Sequence, residues 1–139
     1  MNQEDRIHTA LCRYIAHQYP RALFNTDLSG IRLPMSLARK AARLRSSRAY
    51  PDLVIYESRG NFSALFIEIK SPGTKIWLKD GSLTKNKHIR EQAEMLQALR
   101  NRGFLSSFAV GLDEAITLVD WYLDFSKLDD PYPLKPLKL

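Results

Sequence analysis

The sequence predicts an α/β domain in which a mixed β-sheet is flanked by helices, and three observations carry that prediction. Two runs rich in branched and aromatic residues, 52–56 and 64–70, flank the turn-forming Ser58-Arg59-Gly60-Asn61, as in a β-hairpin. A helix-patterned stretch then leads to a third such run, 104–110. A hairpin followed by a helical crossover implies a sheet with both antiparallel and parallel neighbours. At 139 residues the chain suits one hydrophobic core.

The elements follow in order. Residues 3–18 place Ile7, Leu11, Tyr14 and Ile15 on one helical stripe, and Tyr19-Pro20 ends that helix. Residues 22–25 can form a short strand, and Asp27 to Gly30 a turn. Residues 35–46, rich in Ala, Leu and Arg, read as a basic helix closed by Ser46-Ser47. After the hairpin, Ser71-Pro72-Gly73 stops the strand, and residues 74–83 form a small hairpin or a flexible loop around Lys79-Asp80-Gly81. Trp77 is expected as a core anchor in that stretch. Residues 85–102 carry Ile89, Gln92, Ala93, Leu96 and Leu99 on one stripe, with Gly103 as the C-terminal stop. After the strand at 104–110, Asp113 is expected to cap a last helix running to Leu123. The domain is expected to span 1–125, and residues 126–139, with three prolines, to form an extended tail.

Composition narrows the function. A hydrophobic share of 45% is ample for a folded core, which sets aside a disordered chain. No apolar run approaches the roughly 18 residues that span a membrane, and the N-terminus is polar, so a cytoplasmic protein is expected. Cys12 is the single cysteine, which excludes an intrachain disulfide and a thiolate zinc site. The net charge of +6 favours a polyanionic partner. Between Arg32 and Arg48 there are six basic residues and no acid. Arg39, Lys40, Arg43, Arg45 and Arg48 are therefore candidate phosphate contacts, the first three sharing one side of a helix expected to dock through Leu37, Ala41 and Leu44.

Glu68 and Lys70 lie two apart on a strand, so both side chains leave the same face. If the hairpin turn centres on Gly60, Asp52 lies opposite Glu68, with Cβ atoms about 4.5–5.5 Å apart. Two carboxylates that close repel each other unless a cation lies between them, and Mg²⁺ commonly binds one or two carboxylates with phosphate and water. Lys70 beside them can bind or deprotonate a water, or stabilise developing charge. His8, His17 and His88 show no metal-ligand spacing and are expected in surface or capping roles.

Pro51-Asp52, followed by Phe66-Ile67-Glu68-Ile69-Lys70, resembles the signature of PD-(D/E)XK nucleases, and the chain most resembles their VRR-NUC subgroup of phage and bacterial nucleases over roughly residues 4–123. The resemblance implies a restriction-endonuclease-like core and a Mg²⁺-dependent deoxyribonuclease, with Mn²⁺ able to replace Mg²⁺. It implies that Asp52, Glu68 and the Ile69 carbonyl hold the metal while Lys70 assists the attacking water. It also assigns Glu4 on the first helix and Gln92 on the third to the catalytic set. Both fall on the apolar stripes of their helices, where a surface polar residue is out of place. Stand-alone domains of this type imply a homodimer acting on branched DNA such as four-way junctions. The alternative is a non-catalytic DNA-binding module on the same fold.

Overall fold

The first helix, α1 (Gln3–Gln18), is capped by Asn2, whose side chain accepts the Asp5 N–H at 2.8 Å. Its buried residues Ile7, Leu11 and Ile15 recur at four-residue spacing and form the stripe that meets the sheet. The computed structural model describes residues 1–27, 32–127, 129–131 and 133–139. The expected turn after Asp27 falls largely outside them. Strand β1 (Phe24–Thr26), helix α2 (Met35–Arg43), and strands β2 (Leu53–Ile55) and β3 (Leu65–Lys70) follow. Helix α3 (Lys87–Arg100) then crosses to β4 (Leu105–Val110), and α4 (Leu112–Leu123) and a 3-10 turn (Phe125–Lys127) follow it.

The sheet order is β1-β2-β3-β4. The first three strands are antiparallel and β4 runs parallel to β3, giving the mixed sheet that a hairpin plus a helical crossover requires. β2 pairs with β3 as Leu53↔Ile67 and Ile55↔Leu65, the register expected from a turn at Gly60. Gly60 sits at φ +57°, a conformation that favours glycine.

Alternation along the strands divides the apolar residues between two faces. On one face Leu53, Ile55, Leu65, Ile67 and Ile69 pack with α1 and α4. On the other, Phe108 packs with Ile76, Leu83 and the α3 residues Ile89, Ala93 and Leu96. Residues 74–84 form a small hairpin with a Trp77↔Leu83 bridge and the Gly81 N–H bonded to the Leu78 carbonyl at 2.9 Å. Trp77 meets Phe108 edge-to-face at 6.3 Å, consistent with an anchor. Among the described residues after Lys127 there is no helix or strand, yet Leu137 is buried in the α3-side cluster. Among the described residues no helix is long and apolar enough to cross a membrane.

Three expectations need correction. α2 ends at Arg43 rather than near 46, with the Leu44 N–H turning back to the Ala41 carbonyl at 3.1 Å. Its apolar side docks on none of the described residues: Leu37 and Leu44 are 51% and 75% exposed, and α2 buries no residue. Asp113 does not cap α4. Gly111, at φ +86°, occupies that position, and Asp113 lies inside the first turn, where the helix dipole still favours it.

Candidate active site

β3 carries the centre of the site. Leu65, Ile67 and Ile69 turn into the α1/α4 core, so Glu68 and Lys70 turn to the α3 side, at the strand's C-terminal end. Both are buried, at 5% and 6% exposure, and Lys70 Nζ lies 3.9 Å from Glu68 Oε1. Charged side chains this far from water require partners.

Asp52 enters from the start of β2. One step beyond Leu53↔Ile67 the same register sets it beside Glu68. Its backbone carbonyl accepts the Asp27 N–H at 2.9 Å, and its carboxylate Oδ2 accepts the Ile69 N–H at 2.8 Å. The side chain is thereby fixed by the strand that holds Glu68 and Lys70. Ile69, the expected carbonyl ligand, has its side chain in the core and its N–H on Asp52.

Electrostatics mark this pair. Burial pushes the Glu68 carboxyl well above the usual carboxylate range, with the neighbouring Asp52 charge adding to the shift and Lys70 opposing it. Burial also raises Asp52, while the Ile69 N–H, His8 and Lys70 oppose that rise. Two facing carboxylates in a dry setting share a proton unless a cation replaces it.

α3 supplies the third wall. Gln92 is buried with Ile89, Ala93 and Leu96, as its place on their stripe indicated, and its Nε2 donates to Glu68 Oε1. Gln92 Oε1 is buried with no hydrogen-bond partner. Glu4, half-buried in the first turn of α1, adds negative charge that raises both carboxyls slightly.

A cleft of about 780 Å³ brings Glu4, Asp52, Glu68, Lys70 and Gln92 together with Arg45, Arg48 and Tyr50. The segment after α2 is held over it from two sides, by Arg45–Asp27 at 3.6 Å and Arg48–Glu91 at 3.8 Å. Arg39, Lys40 and Arg43 do not line the cleft and stand exposed on α2. The five basic candidates thus separate into two at the cleft and three outside it.

Two histidines lie closer to this centre than their spacing indicated. His88 lines the cleft and meets Gln92 Nε2 at 3.2 Å. His8 bonds Thr26 Oγ1 at 3.1 Å and lines a smaller cavity of about 110 Å³ that also reaches Asp52. The i, i+4 spacing of His88 and Gln92 on one helix face was the available signal for the first. The pairing of α1 with β1 that places His8 has no local signature.

The described elements make an α/β fold, a mixed sheet with helices on both faces and a carboxylate pair at the end of a central hairpin. The whole chain is similar to a solved structure described as a VRR_NUC domain protein, at 25% identity and a TM-score of 0.63, covering 99% of this chain and 98% of that one. The fold is therefore that of a VRR-NUC domain. No family model and no curated protein sequence matches the chain.

Proposed function

We propose that this chain is a metal-dependent DNA endonuclease that hydrolyses phosphodiester bonds at the cleft holding Asp52, Glu68 and Lys70. The observation that carries the reading is the convergence of the half-buried Asp52 and the buried Glu68 carboxyls, both raised by burial, with a buried lysine and a Gln92 amide oxygen that has no hydrogen-bond partner among the described residues. The likeness in fold to a VRR_NUC domain protein supports the same reading.

The donor set fits a hard divalent cation such as Mg²⁺, with Mn²⁺ as its substitute: carboxylate and neutral carbonyl oxygens, with no thiolate nearby. Among the described residues no group of three His, Cys, Asp or Glu side chains is arranged to hold an ion. Asp52, Glu68 and the Ile69 carbonyl would therefore share the ion with water and phosphate oxygens, which is the habit of Mg²⁺. When bound, the ion supplies Lewis-acid polarisation of the phosphate and acidification of a water. Lys70 holds the attacking water and stabilises negative charge developing on the phosphate. The Ile69 N–H keeps the Asp52 carboxylate turned toward Glu68, and Gln92 orients Glu68. Glu4 adds a further acceptor at the rim of the same cleft.

On this reading Arg45 and Arg48 contact phosphates beside the scissile one, and Arg39, Lys40 and Arg43 extend that contact along the backbone. The proposal includes a homodimer acting on branched DNA, because two clefts related by a two-fold axis match a two-fold junction. The test is a cleavage panel of linear, flapped and four-way DNA with Mg²⁺, with Mn²⁺ and with neither, run beside Asp52→Ala and a sedimentation measurement. Mg²⁺-dependent cleavage lost in Asp52→Ala supports the reading. Tight DNA binding with no cleavage in either metal identifies a non-catalytic binding module instead.

A further inference from the structure

Gln92 has two amide hydrogens, and both meet acceptors. One goes to Glu68 Oε1, and the other faces His88 Nε2 at 3.2 Å, one helical turn earlier. The amide oxygen is left buried with no hydrogen-bond partner. An unsatisfied buried acceptor costs about 1–3 kcal/mol, so an amide free to rotate would exchange the two ends whenever that improved its bonding. Rotation here is opposed on both sides. With Glu68 ionised, as beside a bound cation, and His88 Nε2 unprotonated, it would set Oε1 against the Glu68 carboxylate and against the lone pair of the His88 ring.

His88 is exposed on α3 and lines the cleft, so its ring is not held there by the core. With the Gln92 nitrogen turned to it, Nε2 is the unprotonated nitrogen, since the amide nitrogen only donates; the opposite tautomer would pair with the amide oxygen instead. A histidine at this position is thus the acceptor that makes one amide orientation better than the other.

We propose that His88 is a positioning residue that fixes the Gln92 amide so that Oε1 is kept for a ligand of the cleft, a hydrated divalent cation. The identity of that ligand rests on the metal-dependent reading above, whereas the orienting role does not. Outer partners of this kind typically change metal affinity or activity about 10–100-fold.

The experiment separates the two. Nitrogen-15 spectra of the metal-free protein, recorded at mildly alkaline pH where imidazole is neutral, report both Gln92 side-chain protons. In the wild type both are expected shifted downfield and protected from exchange. In His88→Ala one of them loses its shift and protection. Mn²⁺ affinity, read by electron paramagnetic resonance, is expected to fall by about 10-fold in His88→Ala and kcat by a similar factor, with KM for DNA unchanged. His88→Gln offers an acceptor oxygen and is expected to restore all three readouts, whereas His88→Lys, a donor alone, is not. Unchanged Gln92 resonances in His88→Ala, or a His88→Gln variant as defective as His88→Ala, would overturn the proposal. Spectra and Mn²⁺ affinities that respond as expected in a protein that cleaves no DNA would leave His88's role standing and remove the nuclease reading.

Discussion

Replacing Glu68 by Gln keeps the shape of the side chain and its acceptor for Gln92, but removes the ionisation. In the folded, metal-free protein burial and the Asp52 charge raise Glu68 from 4.5 to about 9, whereas in the unfolded chain it titrates near its ordinary value. A carboxyl raised on folding leaves stability fully present below the unfolded value and removes it as pH rises toward the folded one. Each pH unit inside that window costs about 1.4 kcal/mol, so from about pH 4.5 to about pH 7 the wild type loses on the order of 3 kcal/mol through this group. That figure holds for any folded value above about 7. Glu68→Gln has no such proton to lose. Urea unfolding followed by tryptophan fluorescence in the presence of chelator, at several pH values between roughly 5 and 8, should show the variant overtaking the wild type by about 1.4 kcal/mol per unit. Saturating Mg²⁺ should restore the wild type and leave the variant unmoved. Parallel pH profiles for the two proteins would refute the reasoning, because Glu68 would then be ionised alike in both states.

Three further outcomes are expected. Lys70→Ala should lower kcat by roughly 10² or more with a much smaller change in DNA affinity, and single-turnover kinetics separate the two. Changing Arg39, Lys40 and Arg43 together to Ala should flatten the log–log salt dependence of duplex binding by about two to three units, near 0.9 per lost phosphate contact, without changing Mn²⁺ affinity. Anisotropy across a salt series measures it, and an unaltered slope would remove α2 from the DNA-binding surface. Away from the cleft, Tyr14 and Tyr19 both donate to Asp120 Oδ1, at 2.6 and 2.7 Å, tying α1 to α4. Asp120→Ala should destabilise the fold by about 1–3 kcal/mol in urea while leaving kcat per folded molecule unchanged.

Much of this arrangement was legible where periodicity and turn chemistry act locally. The bounds of α1, the hairpin register that sets Asp52 beside Glu68, and the burial of Gln92 all follow from spacing along the chain. The failures arise where a side chain's fate depends on what lies across from it. Leu37 and Leu44 have the pattern of a docked face, but nothing in the described chain covers them. The β4–α4 junction is turned by Gly111, which takes the cap position that Asp113 seemed to offer from its residue type. His88 and His8 acquire their neighbours from tertiary pairing, which sequence spacing among histidines does not encode.

The docking of the tail bears on how the molecule is made. The tail packs on both faces of the sheet, Leu134 against the α1/α4 cluster and Leu137 within the α3-side cluster. Near the end of the chain the Lys135 carbonyl accepts from Arg100 at 3.2 Å, and its ammonium lies 4.8 Å from the Trp77 ring. Synthesis delivers the chain from its N-terminus at about 5–20 residues per second, so both clusters receive these apolar residues after the strands they cover. The cluster that holds α3, and with it Gln92, therefore takes in Leu137 only after every strand of the sheet has been made.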